Sequence, residues 1–394
     1  MIFIFVIFLL IIISYSNMTD KYKHYLLLFI IVHSSIIILL TSFSFIFDPM
    51  NEGFFLSKND QYKYMKDFYE ILNNDYPFFN HEFISNISKT SNYYTDFLVH
   101  STLIPLPSFE SAVILGRAML FCVYFFIFFY SYKISKFLPK ENQKLFMIII
   151  ILSPTFIGRY LIITRDLHVL AITIAFYYYF ISGSRWKIFI PIYLAYLFRN
   201  HYGFVLLVSY GYYLIYSKFI SKRYFLFIVA NLLFVAIIVP LIASIVPGKG
   251  ARILTVVFVD NIGSVFYNYF LSLISLTFLG LSEKFYSFGL ASIIAMRLIT
   301  FDMLLVHFIF TYSLLKKEFY DMNVVFLLIT LFLFVTVYTF AILISPEGMF
   351  SINFRSLLPF SYFMLFILLS KYKINIPTIK FGKKVIYRSY VEKG

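Results

Sequence analysis

The chain has 394 residues, of which 61% are hydrophobic and only 13% charged, whereas a soluble globular chain is near half apolar and a quarter charged. Its formal net charge of +14 does not point to nucleic acid, because the basic side chains sit in short groups between apolar runs of membrane-spanning length. The single cysteine, Cys122, excludes an intrachain disulfide framework and a thiolate metal cluster.

The expected fold is all-α: a polytopic integral membrane protein of about 11 transmembrane helices in a single domain over 1–394. A β-barrel would alternate over short segments instead. In chain order, residues 2–15 read as a short first span; no positive charge precedes them and no small-residue cleavage site follows, so a signal peptide fits less well. A second span is expected over 25–47. The longest polar stretch follows, over 48–109. It holds eight acids (Asp48, Glu52, Asp60, Asp67, Glu70, Asp75, Glu82, Asp96) against four lysines (Lys58, Lys63, Lys66, Lys89), which gives an acidic loop expected to face outward. Within it, Tyr62, Met65, Tyr69 and Leu72 recur at helical spacing and predict an amphipathic helix over Gln61–Asn73.

The later spans are expected over 110–132, 145–163, 167–182, 186–199, 203–217, 224–246, 298–315, 322–345 and 356–370. The groups Lys21/Lys23, Lys133/Lys136/Lys140/Lys144, Arg185/Lys187, Lys218/Lys222/Arg223, Lys316/Lys317 and the basic tail 371–394 hold 20 of the 33 Lys+Arg. The positive-inside rule makes them cytoplasmic, with the N-terminus outside and the C-terminus inside. The apolar run 265–281 breaks this alternation if it crosses the membrane. A re-entrant or interfacial pair of helices over 253–297, forming part of a pocket wall, keeps the parity.

Nine basic residues remain outside those groups and the acidic loop: Arg117, Arg159, Arg165, Arg199, Lys249, Arg252, Lys284, Arg297 and Arg355. All fall at or near the outer face, against the positive-inside bias, together with Asp166, Asp260, Glu283, Asp302, Glu347, His168, His201 and His307. Arg165 and Asp166 open the span that follows the turn over 158–166. A snorkelling salt bridge between them is the plain reading. Arg117 lies about 10 Å into its span at 1.5 Å rise per residue and needs a partner: Glu110, a carbonyl or a substrate anion. Several arginines on the outer ends of different spans point further, to an anionic ligand. The simplest is a lipid diphosphate, which a guanidinium binds bidentately.

Certain local patterns carry a resemblance. They are Asp60-Gln61-Tyr62-Lys63-Tyr64 in the acidic loop, Ser153-Pro154 leading into Arg165-Asp166, Tyr196-Leu197-Phe198-Arg199-Asn200-His201 at a span end, and Arg355 four residues before Pro359 at the start of the last span. This layout resembles the oligosaccharide repeat unit polymerases of bacterial surface polysaccharides, the Wzy and EpsG-like group. It is also similar to the wider GT-C class of lipid-phosphate-dependent glycosyltransferases. The long second periplasmic loop of many such polymerases is absent here, which leaves the EpsG-like and GT-C comparisons open.

The resemblance implies an enzyme of the bacterial inner membrane that joins repeat units carried on undecaprenyl diphosphate at the periplasmic face, yielding O-antigen, capsule or exopolysaccharide. Arg165, Arg199 and Arg355 would hold the diphosphates. For such chemistry the cations near the departing phosphate are Arg165, Arg199, Arg297 and Arg355, with Arg117 as a further diphosphate or sugar contact. The candidates for general base are Asp60, Asp166, His201 and Glu347, and the resemblance favours the loop acid, Asp60. The plain readings are a solvated loop aspartate for Asp60 and a salt-bridge mate of Arg165 for Asp166.

No cofactor and no structural or catalytic metal are expected, since there is no H-E-x-x-H or cysteine cluster; a divalent cation bridging a diphosphate is the one metal role the GT-C resemblance leaves open. The expected partners are the lipid-linked oligosaccharide, membrane lipid, and assembly proteins such as a flippase and a chain-length regulator. Three alternatives stand beside the polymerase: a GT-C enzyme adding one sugar from a polyprenyl phosphate, a flippase or transporter of lipid-linked glycans, and a ligase of the O-antigen type. A transporter would carry charge at the bilayer midplane, in broken helices.

Overall fold

A computed structural model describes residues 11–12, 15–16, 18–47, 65–66, 69–70, 107–158, 166–219, 290–316, 321–343 and 354–372. Asp60, Arg159, Arg165, Glu347 and the runs 224–246 and 265–281 lie outside them, as does most of 2–15. The described residues are helical, with no strand among them. The helices are α1 Asp20–Phe47, α2 Phe109–Ser135, α3 Lys140–Leu152, the single turn α4 Pro154–Ile157, α5 Asp166–Ile181, α6 Phe189–Phe198, α7 Asn200–Phe219, α8 Leu290–Ser313, α9 Met322–Leu343 and α10 Phe354–Lys371. By length and composition two of them can cross a membrane: α1, through Tyr22–Leu39, and α2. Shorter apolar helical segments occupy Leu167–Ile181, Phe189–Phe198, Tyr202–Ile215, Phe301–Ser313 and Leu358–Lys371.

The helix ends have local chemical causes. Ser108 caps α2: its hydroxyl accepts from the Ser111 N–H at 3.3 Å, with Glu110 in the first turn against the positive helix end. Helix α5 ends in a Schellman turn. The Gly183 N–H bonds the Phe180 carbonyl, the Ser184 N–H bonds the Tyr179 carbonyl, and Gly183 takes φ 71°, which only glycine adopts without strain. Asp321 caps α9, accepting from the N–H groups of Asn323 and Val324 at 2.9 Å each.

Three boundaries differ from expectation. The span expected over 145–163 is two pieces, because α3 stops at Leu152. Pro154 disfavours helical geometry at the residue before it. Ser153 accordingly sits at φ −57°, ψ 119° and starts α4 with its own hydroxyl on the Phe156 N–H. The segment expected over 186–199 is the ten-residue helix α6, about 15 Å long at 1.5 Å per residue, half of a 30 Å hydrocarbon core. Helix α8 begins at Leu290, eight residues before the expected 298. No Gly or Pro interrupts 290–313, so the end of the expected re-entrant region is ordinary helix and Arg297 lies inside it. The acidic-loop prediction holds where it can be read. Residues 65–66 and 69–70 are helical, Met65 is buried and Tyr69 meets the Phe109 ring edge-on at 6.1 Å, while Lys66 and Glu70 face solvent and pair at 3.6 Å.

Helix α10 is the centre. Every residue from Leu358 to Leu369 is buried, the mark of a helix surrounded by others. It packs against α3, α5, α8 and α9, and the Tyr362 hydroxyl donates to Ser131 of α2 at 2.9 Å. Side-chain pairs fix the helix directions. Tyr22 meets Tyr132 and His33 meets Tyr124, so α1 and α2 are antiparallel. Phe326 meets Phe363 and Phe334 meets Phe360, so α9 and α10 are antiparallel. Tyr202 meets Phe334 and Tyr213 meets Phe326, which makes α7 antiparallel to α9.

In consequence Lys133, Lys136, Lys140, Lys144, Arg185, Lys187, Lys316 and Lys371 collect at one end of the bundle. There Lys371 pairs with Asp321 at 2.8 Å. Asn142 donates to the Leu369 and Tyr372 carbonyls at the exit of α10. The Lys133 ammonium lies over the rings of Phe129, Tyr130 and Tyr178.

On α8, His307 and Ser313 are buried among Met303, Val306 and Phe310, while Phe301, Leu305, Phe308 and Tyr312 form an exposed stripe. One buried hydroxyl stands out in α5. Tyr177 stacks on Phe363 at 4.1 Å, and its hydroxyl has no hydrogen-bond partner among the described residues. Leaving such a group unsatisfied costs about 1–3 kcal/mol. Tyr177→Phe is therefore expected to hold or raise the thermal midpoint of the purified protein. A drop would mean that the hydroxyl bonds a group outside those residues.

Candidate functional site

The end of the bundle opposite the lysines gathers the residues singled out in the sequence. Asp166 is the first residue of α5 and Arg355 the second of α10. Arg199 is the one residue between α6 and α7. Its extended backbone (φ −153°, ψ 98°) turns the chain sharply: its N–H closes α6 on the Ala195 carbonyl, and its carbonyl accepts from Tyr202 and Gly203 to open α7. The hairpin is so tight that a Cβ on Gly203 would strike the backbone of Tyr196. His201 occupies the first turn of α7.

Pair contacts give the relative heights of these positions. Tyr177 stacks on Phe363, and counting up from that pair at 1.5 Å per residue puts Asp166 about 4 Å beyond Arg355. Counting from Tyr202 against Phe360 brings Arg199 within about 3 Å of the same height. The His307 ring and the Ser361 hydroxyl, 2.5 Å apart, bring Asp302 within about 2 Å of it. Asp166, Arg199, Asp302 and Arg355 thus form one tier. His168, buried just below it, stacks flat on Phe198 at 5.5 Å and 13°, tying α5 to the Arg199 turn.

Other expected residues fall outside this tier. Arg297 is five residues above Asp302 on α8, about 7–8 Å higher. Arg117, 1% exposed in α2, is two turns beyond Tyr124 and so about 8–10 Å above the tier. Helices α3, α5, α6 and α10 end at the tier. Helix α8 continues about 18 Å above it, and α1 and α2 do much the same. Among the described residues the tier is the floor of a step beside the longer helices.

The most tightly built polar feature of this floor was not among the site residues expected from sequence. Both carboxylate oxygens of Asp302 accept hydrogen bonds, from the Ser153 and Thr155 hydroxyls on either side of Pro154. This clamp fastens the α3–α4 break to α8. Beside it, His33 of α1 reaches the Ile151 carbonyl at 3.0 Å; a carbonyl only accepts, so the His33 Nε2 carries the hydrogen. Ser153-Pro154 was legible as a turn and Asp302 as an outer acid, but nothing local links residues 149 and 147 positions apart.

Chemically, the floor offers an arginine at a helix hinge, an arginine and an aspartate at two helix starts, and a fixed carboxylate. Among the described residues no group of three or more His, Cys, Asp or Glu could hold a metal ion. The chain matches no protein family, no curated protein and no solved structure.

Removing the clamp's acceptor strands two hydroxyls. Asp302→Ala is expected to lower stability by about 1–3 kcal/mol, and Asp302→Asn, which still accepts one hydroxyl, by less. Chemical unfolding of the three proteins in one detergent checks the order. Equal stability of Asp302→Ala and wild type would remove the clamp from the account.

Proposed function

We propose that the chain is an integral membrane glycosyltransferase that polymerises lipid-linked oligosaccharide repeat units at the outer face of a bacterial inner membrane. The observation that carries this reading is the height of the arginine tier. Arg355 and Lys371 are sixteen residues apart on α10, about 24 Å. With the lysine end at one interface of a hydrocarbon layer about 30 Å thick, the tier falls just inside the other. That is where the diphosphate of a polyprenyl carrier lies, and an arginine at that depth has a use beyond snorkelling. The exposed apolar stripe of α8 and the flanking α1 and α2 suit contact with lipid.

In this reading Arg199 and Arg355, with Arg165 next to the start of α5, hold the two phosphates and stabilise the charge that develops as the glycosidic bond to the carrier breaks. Arg297 and Arg117, higher on the step, meet the second carrier or its sugars. The acceptor hydroxyl loses its proton to a carboxylate or imidazole at the tier or in the acidic loop, with Asp60, Asp166 and His201 as candidates. The eleven-span topology, with lysines cytoplasmic, belongs to the same proposal. One observation favours a second reading. The α3–α4 break with its clamped carboxylate is a broken helix of the kind that ion-coupled transporters use, so a transporter of lipid-linked glycans is the runner-up.

The test is the surface glycan ladder of a deletion strain complemented with wild type, Arg199→Ala or Arg355→Ala at matched protein levels. A polymerase predicts that the deletion leaves single repeat units on their acceptor. It also predicts that each variant lowers chain extension by about 100-fold or more, the scale of losing one charge-stabilising group. A deletion that shortens every repeat unit would make the chain a single-sugar transferase. Repeat units trapped on the cytoplasmic leaflet would make it a transporter. A normal ladder from both variants would take the arginines out of the site.

A further inference from the structure

We propose that the basic end of the bundle holds an anionic phospholipid in a fixed place, its phosphate among Lys133 and Lys136 of α2 and Lys187 of the α5–α6 turn, its acyl chains along the exposed face of α6. This goes beyond the glycosyltransferase reading and takes from it only that the lysine end lies at a membrane surface.

A lysine near the end of a helix in lipid ordinarily reaches outward to the aqueous surface. Lys133 reaches the other way. Its ammonium lies over the rings of Phe129 and Tyr130, one turn back along α2, at 4.2 and 5.5 Å, and over Tyr178 of α5 at 5.2 Å. One turn is about 5 Å, so this half-buried charge sits inward of the rim. The rings attract the cation without neutralising it.

The charges that act on Lys133 are those of Lys136 and Lys187, both positive. Among the described residues none of the three lysines forms an ion pair. The negative ends of α2 and α5 offset about half a charge each, so the group keeps a net positive charge. Beside it the Tyr130 and Tyr179 hydroxyls lie 3.4 Å apart. One of their two hydrogens lies between the oxygens, and the other is available to an acceptor. Ammonium groups and a phenol hydrogen together suit a phosphate.

The neighbouring surface identifies the carrier of that phosphate, independently of the charges. Trp186 is 86% exposed and its ring lies 6.4 Å from that of Phe189. Phe189, Ile190, Tyr193 and Leu194 are exposed together, and their spacing puts them on one face of α6. That apolar face begins two residues after Lys187 and runs toward the Arg199 turn. A free phosphate has no use for it, whereas a phospholipid joins an anion to hydrocarbon. Tryptophan is at home at such a junction, with an apolar body and a polar N–H. A choline or ethanolamine headgroup would add a further cation to the lysine group, so the anionic headgroup is preferred.

Trp186 is the one tryptophan of the chain and reports on the site directly. The full-length protein, in micelles of a neutral detergent, is titrated with phosphatidylglycerol or phosphatidylcholine carrying brominated acyl chains, which quench indole fluorescence on contact. Phosphatidylglycerol is expected to quench at a mole fraction lower by about ten-fold or more, since each cation near a surface favours an anionic lipid by roughly five-fold. Lys133→Gln and Lys187→Gln should each reduce that preference about five-fold. Lys316→Gln, at the end of α8 with its ammonium over Tyr312 and Tyr372, should leave it unchanged. Equal quenching of the wild type by the two lipids overturns the proposal, whatever the variants do. So does a loss in Lys316→Gln as large as that in Lys133→Gln, which would mean a diffuse surface field. Inorganic phosphate that abolishes the preference, where sodium chloride of the same ionic strength does not, would make this a site for free anions and overturn it too. None of these outcomes bears on the glycan ladder, so the two readings fail separately.

Discussion

The last helix is buried on every side from Leu358 to Leu369, and this sets conditions for the rest of the protein. A helix with no face to lipid or water needs internal partners for each polar group it carries. Ser361 finds His307, Tyr362 finds Ser131, and the carbonyls at its exit find Asn142. These bonds come from α8, α2 and α3, each at least 54 residues from its partner on α10, and each fixes the height of its helix against α10. The stacking of Tyr177 on Phe363 and of Phe334 beside Phe360 does the same for α5 and α9. A packed interior does not slide continuously, so these few pairs decide which helix ends share a level.

That alignment separates charge of one kind into two chemistries. At one end lysines, an Asp321 cap and aromatic rings under Lys133 make a solvated basic rim. At the other, among the described residues, α5, α6 and α10 begin or end at a level that α1, α2 and α8 pass. Arginine, not lysine, occupies this floor, at the Arg199 hinge and the second residue of α10. Arginine stays charged and offers a planar fork suited to phosphate. The Asp302 clamp fastens the floor to the wall, joining the α3–α4 break to α8 at the height where the arginines lie.

Much of this was legible in the sequence, for physical reasons. Lysine groups at regular intervals gave the alternation of helix directions, because the signal is repeated in every loop. The helix in the acidic loop could be read from Met65 and Tyr69 against Lys66 and Glu70, since one face buries and the other does not. Hydropathy could not mark where a long apolar run is interrupted. The run over 145–157 is apolar on both sides of Ser153-Pro154-Thr155, and only the backbone rule for the residue before proline predicts the break. The short α6 was hidden differently: the charged turns on either side, Arg185-Trp186-Lys187 and Arg199-Asn200-His201, bounded the expected span, but hydropathy did not show how few residues between them are helical. Arg297 looked like the end of an interfacial segment because Leu290 to Thr300 read as equally apolar on either interpretation. Asp302 was grouped in the sequence with Arg199 and Arg355, whose level it shares, but its partners are set by packing across half the chain.

The central claim is that the arginine tier and the lysine rim face opposite sides of a membrane. It is tested most directly by single-cysteine labelling in intact cells, in a Cys122→Ala background that removes the one native, buried thiol. Asp166→Cys, Arg199→Cys and Arg355→Cys report on the tier, and Lys136→Cys, Lys187→Cys and Lys316→Cys on the rim. A membrane-impermeant thiol reagent is expected to label the first set from outside, and the second only after the inner membrane is opened. If Arg199→Cys and Arg355→Cys label from different sides, or tier and rim label from the same side, the account of this fold and of its site is wrong.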